Sequence, residues 1–119
     1  MAAEKRSYPR ISDEAVSLRV KGEEFDAITH TLNISASGVY CKVDRELPLM
    51  SRVKLMLMIP EKSGSRDDAA KIDVTGVVVR EHPVIVDGEI KHYDVAIFFD
   101  ALTERDKETI SQYVRAKLS

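Results

Sequence analysis

Between residues 16 and 99 the apolar side chains recur mostly at every second position, and that spacing restricts the fold class more than any other property of the chain. Val16, Leu18 and Val20 alternate with Ser17 and Arg19, and Val53, Leu55, Leu57 and Ile59 alternate with Lys54, Met56 and Met58. A period of two puts successive side chains on opposite faces of an extended strand; a helix would scatter the same residues around its circumference. Strands are therefore expected at 16–20, 25–32, 39–43, 52–59, 71–80 and 92–99. Asp87-Gly88, set between Val84-Ile85-Val86 and Glu89-Ile90, reads as a type I′ hairpin turn, whose two central residues both need positive φ. Residues 61–70 form a polar loop after Pro60. Thr103, with Asp106 three residues on, reads as a helix start, and Ile110, Tyr113, Val114 and Leu118 then share one helical face. In a chain of 119 residues these elements make one domain: a small β-barrel or highly curved antiparallel sheet with a helical cover.

The first residues read differently. Pro9 drives Tyr8 away from helical dihedrals, so residues 1–12 are expected to be a flexible arm, followed by a β-barrel at 13–100 and a helix at 103–118. The whole chain holds 18 Lys and Arg against 20 Asp and Glu, a net charge of −2. That balance argues against a binder of long nucleic acid, which needs a basic face to displace many counterions. Residues 4–10 nevertheless carry a local excess of two positive charges, from Lys5, Arg6 and Arg10 against Glu4. The N-terminus has no signal-like apolar run, and no stretch approaches the ~20 apolar residues that cross a bilayer. A cytoplasmic protein without membrane insertion is expected. The single cysteine, Cys41, alternates with Val39 and Val43 and reads as a buried structural thiol.

Enzymatic patterns are absent from the sequence. His30, His82 and His92 lack the i, i+3 or i, i+4 spacing of a metal site, and there is no Gly-rich phosphate loop or nucleophile elbow. The acid pairs Glu23-Glu24 and Asp67-Asp68 fall in predicted turns, and Asn33-Ile34-Ser35 is a glycosylation sequon without a secretory signal. No catalytic residue, cofactor or metal is assigned.

Two patterns remain: RxxxR, from Arg6 to Arg10, and NxSxxG, from Asn33 through Ser35 to Gly38. The first is expected by chance roughly 0.7 times in a chain of this composition; the second, counting Asp or Asn at its first position, only about 0.04 times, so the second carries the weight. Arginine forks grip guanine acceptors or phosphate oxygens bidentately, Asn33 offers donors and acceptors to a base edge, and Ser35 offers a hydroxyl. Gly38 permits positive φ and a close approach to the main chain. Turn residues between strands and a solvated basic arm account for the same residues without any ligand, and chemistry alone leaves both readings open.

In order and spacing the chain resembles a PilZ domain, the bacterial receptor module for cyclic di-GMP. The resemblance spans an RxxxR arm, a short β region, NxSxxG, a long strand pair, a Gly-x-Val-x-Arg stretch from Gly76 to Arg80, a strand ending in Phe and a C-terminal helix. It implies a six-stranded antiparallel β-barrel without catalysis. The arm would fold over cyclic di-GMP, with Arg6, Arg10, Asn33, Ser35 and Gly38 as ligand-binding residues and Lys5 and Arg80 as secondary candidates. Asn33 stands where Asp is common, which removes a charge. The ligand would switch contacts with a downstream protein controlling motility, exopolysaccharide or a related surface behaviour. The alternative is a PilZ-like domain that binds no nucleotide and acts through protein contacts.

Overall fold

The alternating segments become strands, and the order in which they pair closes them on themselves. Seven strands and a helix follow in chain order among the described residues, 9–12, 16–60 and 69–118 of a computed structural model. They are β1 (Ile11–Ser12), β2 (Ser17–Lys21), β3 (Asp26–Ser35), β4 (Gly38–Val43), β5 (Arg52–Ile59), β6 (Ala70–Val86), β7 (Glu89–Asp100) and α1 (Glu104–Leu118). Every pairing is antiparallel. The sheet runs β2–β5–β6–β7–β4–β3, and β3 pairs back onto β2, giving a closed six-stranded barrel with one C-terminal helix. Closure leaves no full-length edge strand open to edge-to-edge association.

The two-residue β1 prolongs the line of β2 along β3, pairing Ile11 with Ile34 and Ser12 with Asn33. Ile11 is only 9% exposed. The segment expected to be a free arm is thus tied to the barrel at residues 11 and 12, because Ile11 gains more from the apolar interior than from solvent. Residues 1–8, including Lys5 and Arg6, lie outside the described residues.

Inward-facing Leu18, Val20, Ile34, Val39, Cys41, Val53, Leu55, Leu57, Ile72, Val78, Val95 and Ile97 fill the barrel. Strand β6 is one unbroken strand through 80–84, where the sequence suggests two. Pro83 lies beyond the stretch that β5 pairs, in a part of β6 bonded to β7 alone, where a missing N–H is tolerated. The turn at Asp87-Gly88 forms as expected, with φ of 53° and 80°.

Helix α1 lies against β1 and β3 and buries Ile110, Tyr113 and Val114. Its start is capped as the sequence suggests: the Asp106 N–H donates to Thr103 Oγ1 at 3.1 Å. Leu118 does not join the buried face and is 57% exposed. Eight residues at about 100° each carry it roughly 80° around the helix from Ile110, to the margin of the stripe. No helix among the described residues is long and apolar enough to cross a membrane.

Candidate ligand-binding site

Two interruptions of the strand alternation build the candidate site. In β3 the inward side chains run Ala27, Thr29, Thr31, and strict alternation would send Asn33 into the core next. The register instead steps from Thr31 opposite Cys41 to Asn33 opposite Tyr40, so Leu32 is an extra residue on the β3 side. That β-bulge turns Asn33 outward and lets Ile34 take the buried position. Strand β6 repeats the device. Ile72, Gly76 and Val78 are buried, and Arg80 would follow them inward, but the register steps from Val78 opposite Ile97 to Arg80 opposite Ala96. Val79 is the extra residue, and Arg80 emerges on the outer wall. Glu81 moves to the half-buried side, where its carboxylate accepts the Leu47 N–H at 2.6 Å.

The register then aligns the two displaced residues. Asn33 pairs with Tyr40, Tyr40 with Ala96, and Ala96 with Arg80, a single row across β3, β4, β7 and β6. Three strand spacings of about 4.8 Å separate its ends by about 14 Å. Tyr40 and Ala96 form the floor between them.

Arg10 completes the β3 end. One terminal nitrogen of its guanidinium donates to Asn33 Oδ1 at 2.5 Å and the other to Ser35 Oγ at 3.1 Å. Ser35 Oγ also accepts the Ser37 N–H at 3.1 Å and lies 2.8 Å from Ser37 Oγ. A hydroxyl has two acceptor sites and one proton, so with both acceptor sites taken the Ser35 proton goes to Ser37 Oγ. Ser35 is wholly buried and saturated. In this arrangement it holds Arg10 and the Ala36-Ser37 turn in place, with no hydrogen-bonding capacity left for a ligand. Asn33 and Ser35 are both neutral, so they orient the guanidinium without forming an ion pair with it.

Gly38 has a different reason for being glycine from the one the sequence suggests. It does not adopt positive φ; among the described glycines only Gly88 does. A Cβ at position 38 would instead lie 2.4 Å from the Ile97 carbonyl oxygen and 3.2 Å from Phe98 Cα. The β4 and β7 backbones approach too closely there for any side chain.

These residues surround an open cleft of about 310 Å³ lined by Arg10, Asn33, Gly38, Tyr40, Val79, Arg80, Ala96 and Phe98, with Val39 and Ile97 beneath. The lining includes two arginines and no carboxylate among the described residues, so the cleft suits an anion. Four sequence-predicted residues, Arg10, Asn33, Gly38 and Arg80, thus share one place, with Ser35 supporting it from within. Tyr40, Val79 and Phe98 are additions. Tyr40 and Val79 are legible in principle, since each follows a buried residue of its strand, Val39 and Val78, whereas the outward turn of Arg80 is what alternation does not foretell. Among the described residues no cluster of three or more His, Cys, Asp or Glu is placed to hold a metal ion. Cys41 is buried as expected, and its burial, with the Asp94 carboxylate nearby, pushes the thiol pKa up to about 12.

A closed antiparallel barrel with an arginine-lined cleft on its outer wall is a small β-barrel module with a candidate anion site. The PilZ domain family matches residues 4–116, nearly the whole chain, and the chain belongs to that family. Solved structures agree on the fold. The Bacillus subtilis inhibitor of motility MotI/DgrA superposes with a TM-score of 0.81 at 19% identity, over 98% of this chain and 53% of that one. MrkH of K. pneumonia, in a complex with c-di-GMP, gives 0.74 at 18% identity, over 98% and 53%. The PilZ domain of YcgR from Escherichia coli, with c-di-GMP, gives 0.67 at 16% identity, over 97% and 92%. The chain thus spans about half the length of MotI/DgrA and MrkH. No curated protein matches the chain in sequence.

Proposed function

We propose that this chain is a cyclic di-GMP receptor of the bacterial cytoplasm: the nucleotide binds in the cleft between Arg10 and Arg80, and occupancy is passed to a partner protein without catalysis. The observation that carries this reading is the row from Asn33 to Arg80, in which two bulges and the Arg10 fork bring the motif residues to one anion-accepting cleft. Family membership supports it, as do the two relatives seen with c-di-GMP. Arg10 meets a phosphate or guanine acceptors, Asn33 reads the base edge, Arg80 supplies the second cation, and Gly38 keeps the backbone bare. Arg6 and Lys5 close over the ligand from the chain segment before Pro9, and the surface so formed is what a partner controlling motility, exopolysaccharide or a related surface behaviour reads.

Calorimetric titration with cyclic di-GMP, using cyclic di-AMP as the control for guanine readout, tests the proposal. Removing a charge-assisted hydrogen bond costs about 1.5–3 kcal/mol, so Arg6→Ala and Arg10→Ala should each weaken binding about 10- to 100-fold. Tight binding indifferent to both substitutions refutes the site. No binding by the wild type refutes the receptor reading in favour of a PilZ domain that works through protein contacts alone. Incubation with the ligand should leave it intact; accumulation of the linear product would refute the non-catalytic reading.

A further inference from the structure

Phe98 is 55% exposed on β7, while its chain neighbours Ile97 and Phe99 are 1% and 8% exposed. One exposed apolar residue needs no explanation by itself. Three features set this one apart. It lines the cationic cleft. Its cross-strand partner on β4 is Gly38, which has no side chain to cover the ring. Beside it Val79, the extra residue of the β6 bulge, is 46% exposed and lines the same cleft. The close approach of the Ile97 carbonyl dictates glycine at position 38 whether or not a ligand binds. The result is an aromatic ring flanked by bare backbone at one end of a site bounded by two arginines.

Resting on the cyclic di-GMP reading above, we infer that Phe98 is the stacking platform for one purine base of the ligand, with Val79 packing at its edge. Tyr40 and Ala96 lie beneath the rest of the nucleotide. Every base offers a π-face, so this contact supplies affinity; base identity is read by hydrogen bonds at Asn33. A single platform also suits one compact nucleotide, since a strand of nucleic acid needs a succession of aromatic rings.

The chain contains no tryptophan, so Phe98→Trp installs a single indole at the site. Titration with cyclic di-GMP should quench its fluorescence saturably, with the dissociation constant that calorimetry gives for the same variant. Phe98→Ala should bind about 5- to 100-fold more weakly than the wild type, the range that loss of one base–aromatic stack gives. Its preference for cyclic di-GMP over cyclic di-AMP should be unchanged, whereas Asn33→Ala should erode that preference. If the wild type binds while Phe98→Ala binds equally well and the Phe98→Trp emission does not respond, the stacking role is wrong and the receptor reading stands. If the wild type does not bind, both fall together. An aromatic can also shield a glycine in a sheet, so thermal unfolding of Phe98→Ala is measured alongside. Should that variant not fold, the Phe98→Trp titration decides alone.

Discussion

Replacing Gly38 by alanine separates two reasons for a glycine in the NxSxxG motif. If position 38 served a left-handed turn or only a ligand's approach, the added methyl would meet strain or nucleotide. In the structure it meets the Ile97 carbonyl oxygen at 2.4 Å. Even a close carbon–oxygen contact in a sheet stands at about 3.3 Å, so β4 and β7 must part by about 1 Å at the Gly38–Phe98 pair. A ladder hydrogen bond stretched by that much no longer counts as one. The nearby bond from the Phe99 N–H to the Ser37 carbonyl, 2.9 Å long, is drawn into the same displacement. Losing about two bonds at about 1 kcal/mol each, with about 1 kcal/mol of overpacking, is offset by about 0.4–1 kcal/mol of unfolded-state entropy. The net loss is about 2 kcal/mol, or a fall of about 6–12 °C in thermal midpoint for a domain of this size. Urea unfolding followed by circular dichroism should show the midpoint falling with the m-value unchanged. A Gly38→Ala protein as stable as the wild type, or more stable, would refute the steric account.

Two further outcomes follow from single side chains. The fold accommodates Cys41 only as the neutral thiol, with a pKa of about 12 against about 8.5 in the unfolded chain, so its contribution is complete below about pH 8.5 and is lost as the pH rises. Wild-type stability should therefore fall more steeply than that of Cys41→Ala above pH 9, by about 1.4 kcal/mol per pH unit, in urea titrations from pH 7.5 to 10.5; parallel slopes would contradict it. Thr103→Ala removes the acceptor of the Asp106 N–H and should cost about 1 kcal/mol, with Thr103→Ser restoring nearly all of it; thermal unfolding of the pair checks the cap.

Much of the barrel is legible because alternation is a direct imprint of burial. Val53, Leu55, Leu57 and Ile59 are buried in the order the period of two dictates, and the Asp87-Gly88 turn follows from a backbone requirement few residues meet. The strand order is harder to read, since β5 inserts between β2 and β6 through contacts distant in sequence. β1 is too short to show a period, and β6 runs through Pro83 because one of its neighbours has already ended. The candidate site is legible in its residue types and much less so in its geometry. Asn33 and Arg80 stand out by motif, but alternation sends both inward, and only the extra residues Leu32 and Val79 bring them out. Ser35 has the chemistry of a ligand contact, yet its hydroxyl is consumed in holding Arg10. Lys5 and Arg6 lie outside the described residues.

The two bulges also bear on how such a cleft is gained or lost. Each is one extra residue without a partner across the strand pair, so the motif residue after it keeps its place whether or not the extra one is present. Deleting Val79 would restore the pleat of β6 and place Arg80 directly after the inward Val78, still opposite Ala96 on the outer wall. Deleting Leu32 would likewise leave Asn33 directly after the inward Thr31, outward and opposite Tyr40. The outward face of either motif residue therefore survives loss of its extra neighbour, and what would turn it inward is a one-residue slip of register against the partner strand. Spacing along one strand is then a poor guide to competence among related chains: the register against the neighbouring strand decides which wall of the barrel the motif's chemistry faces.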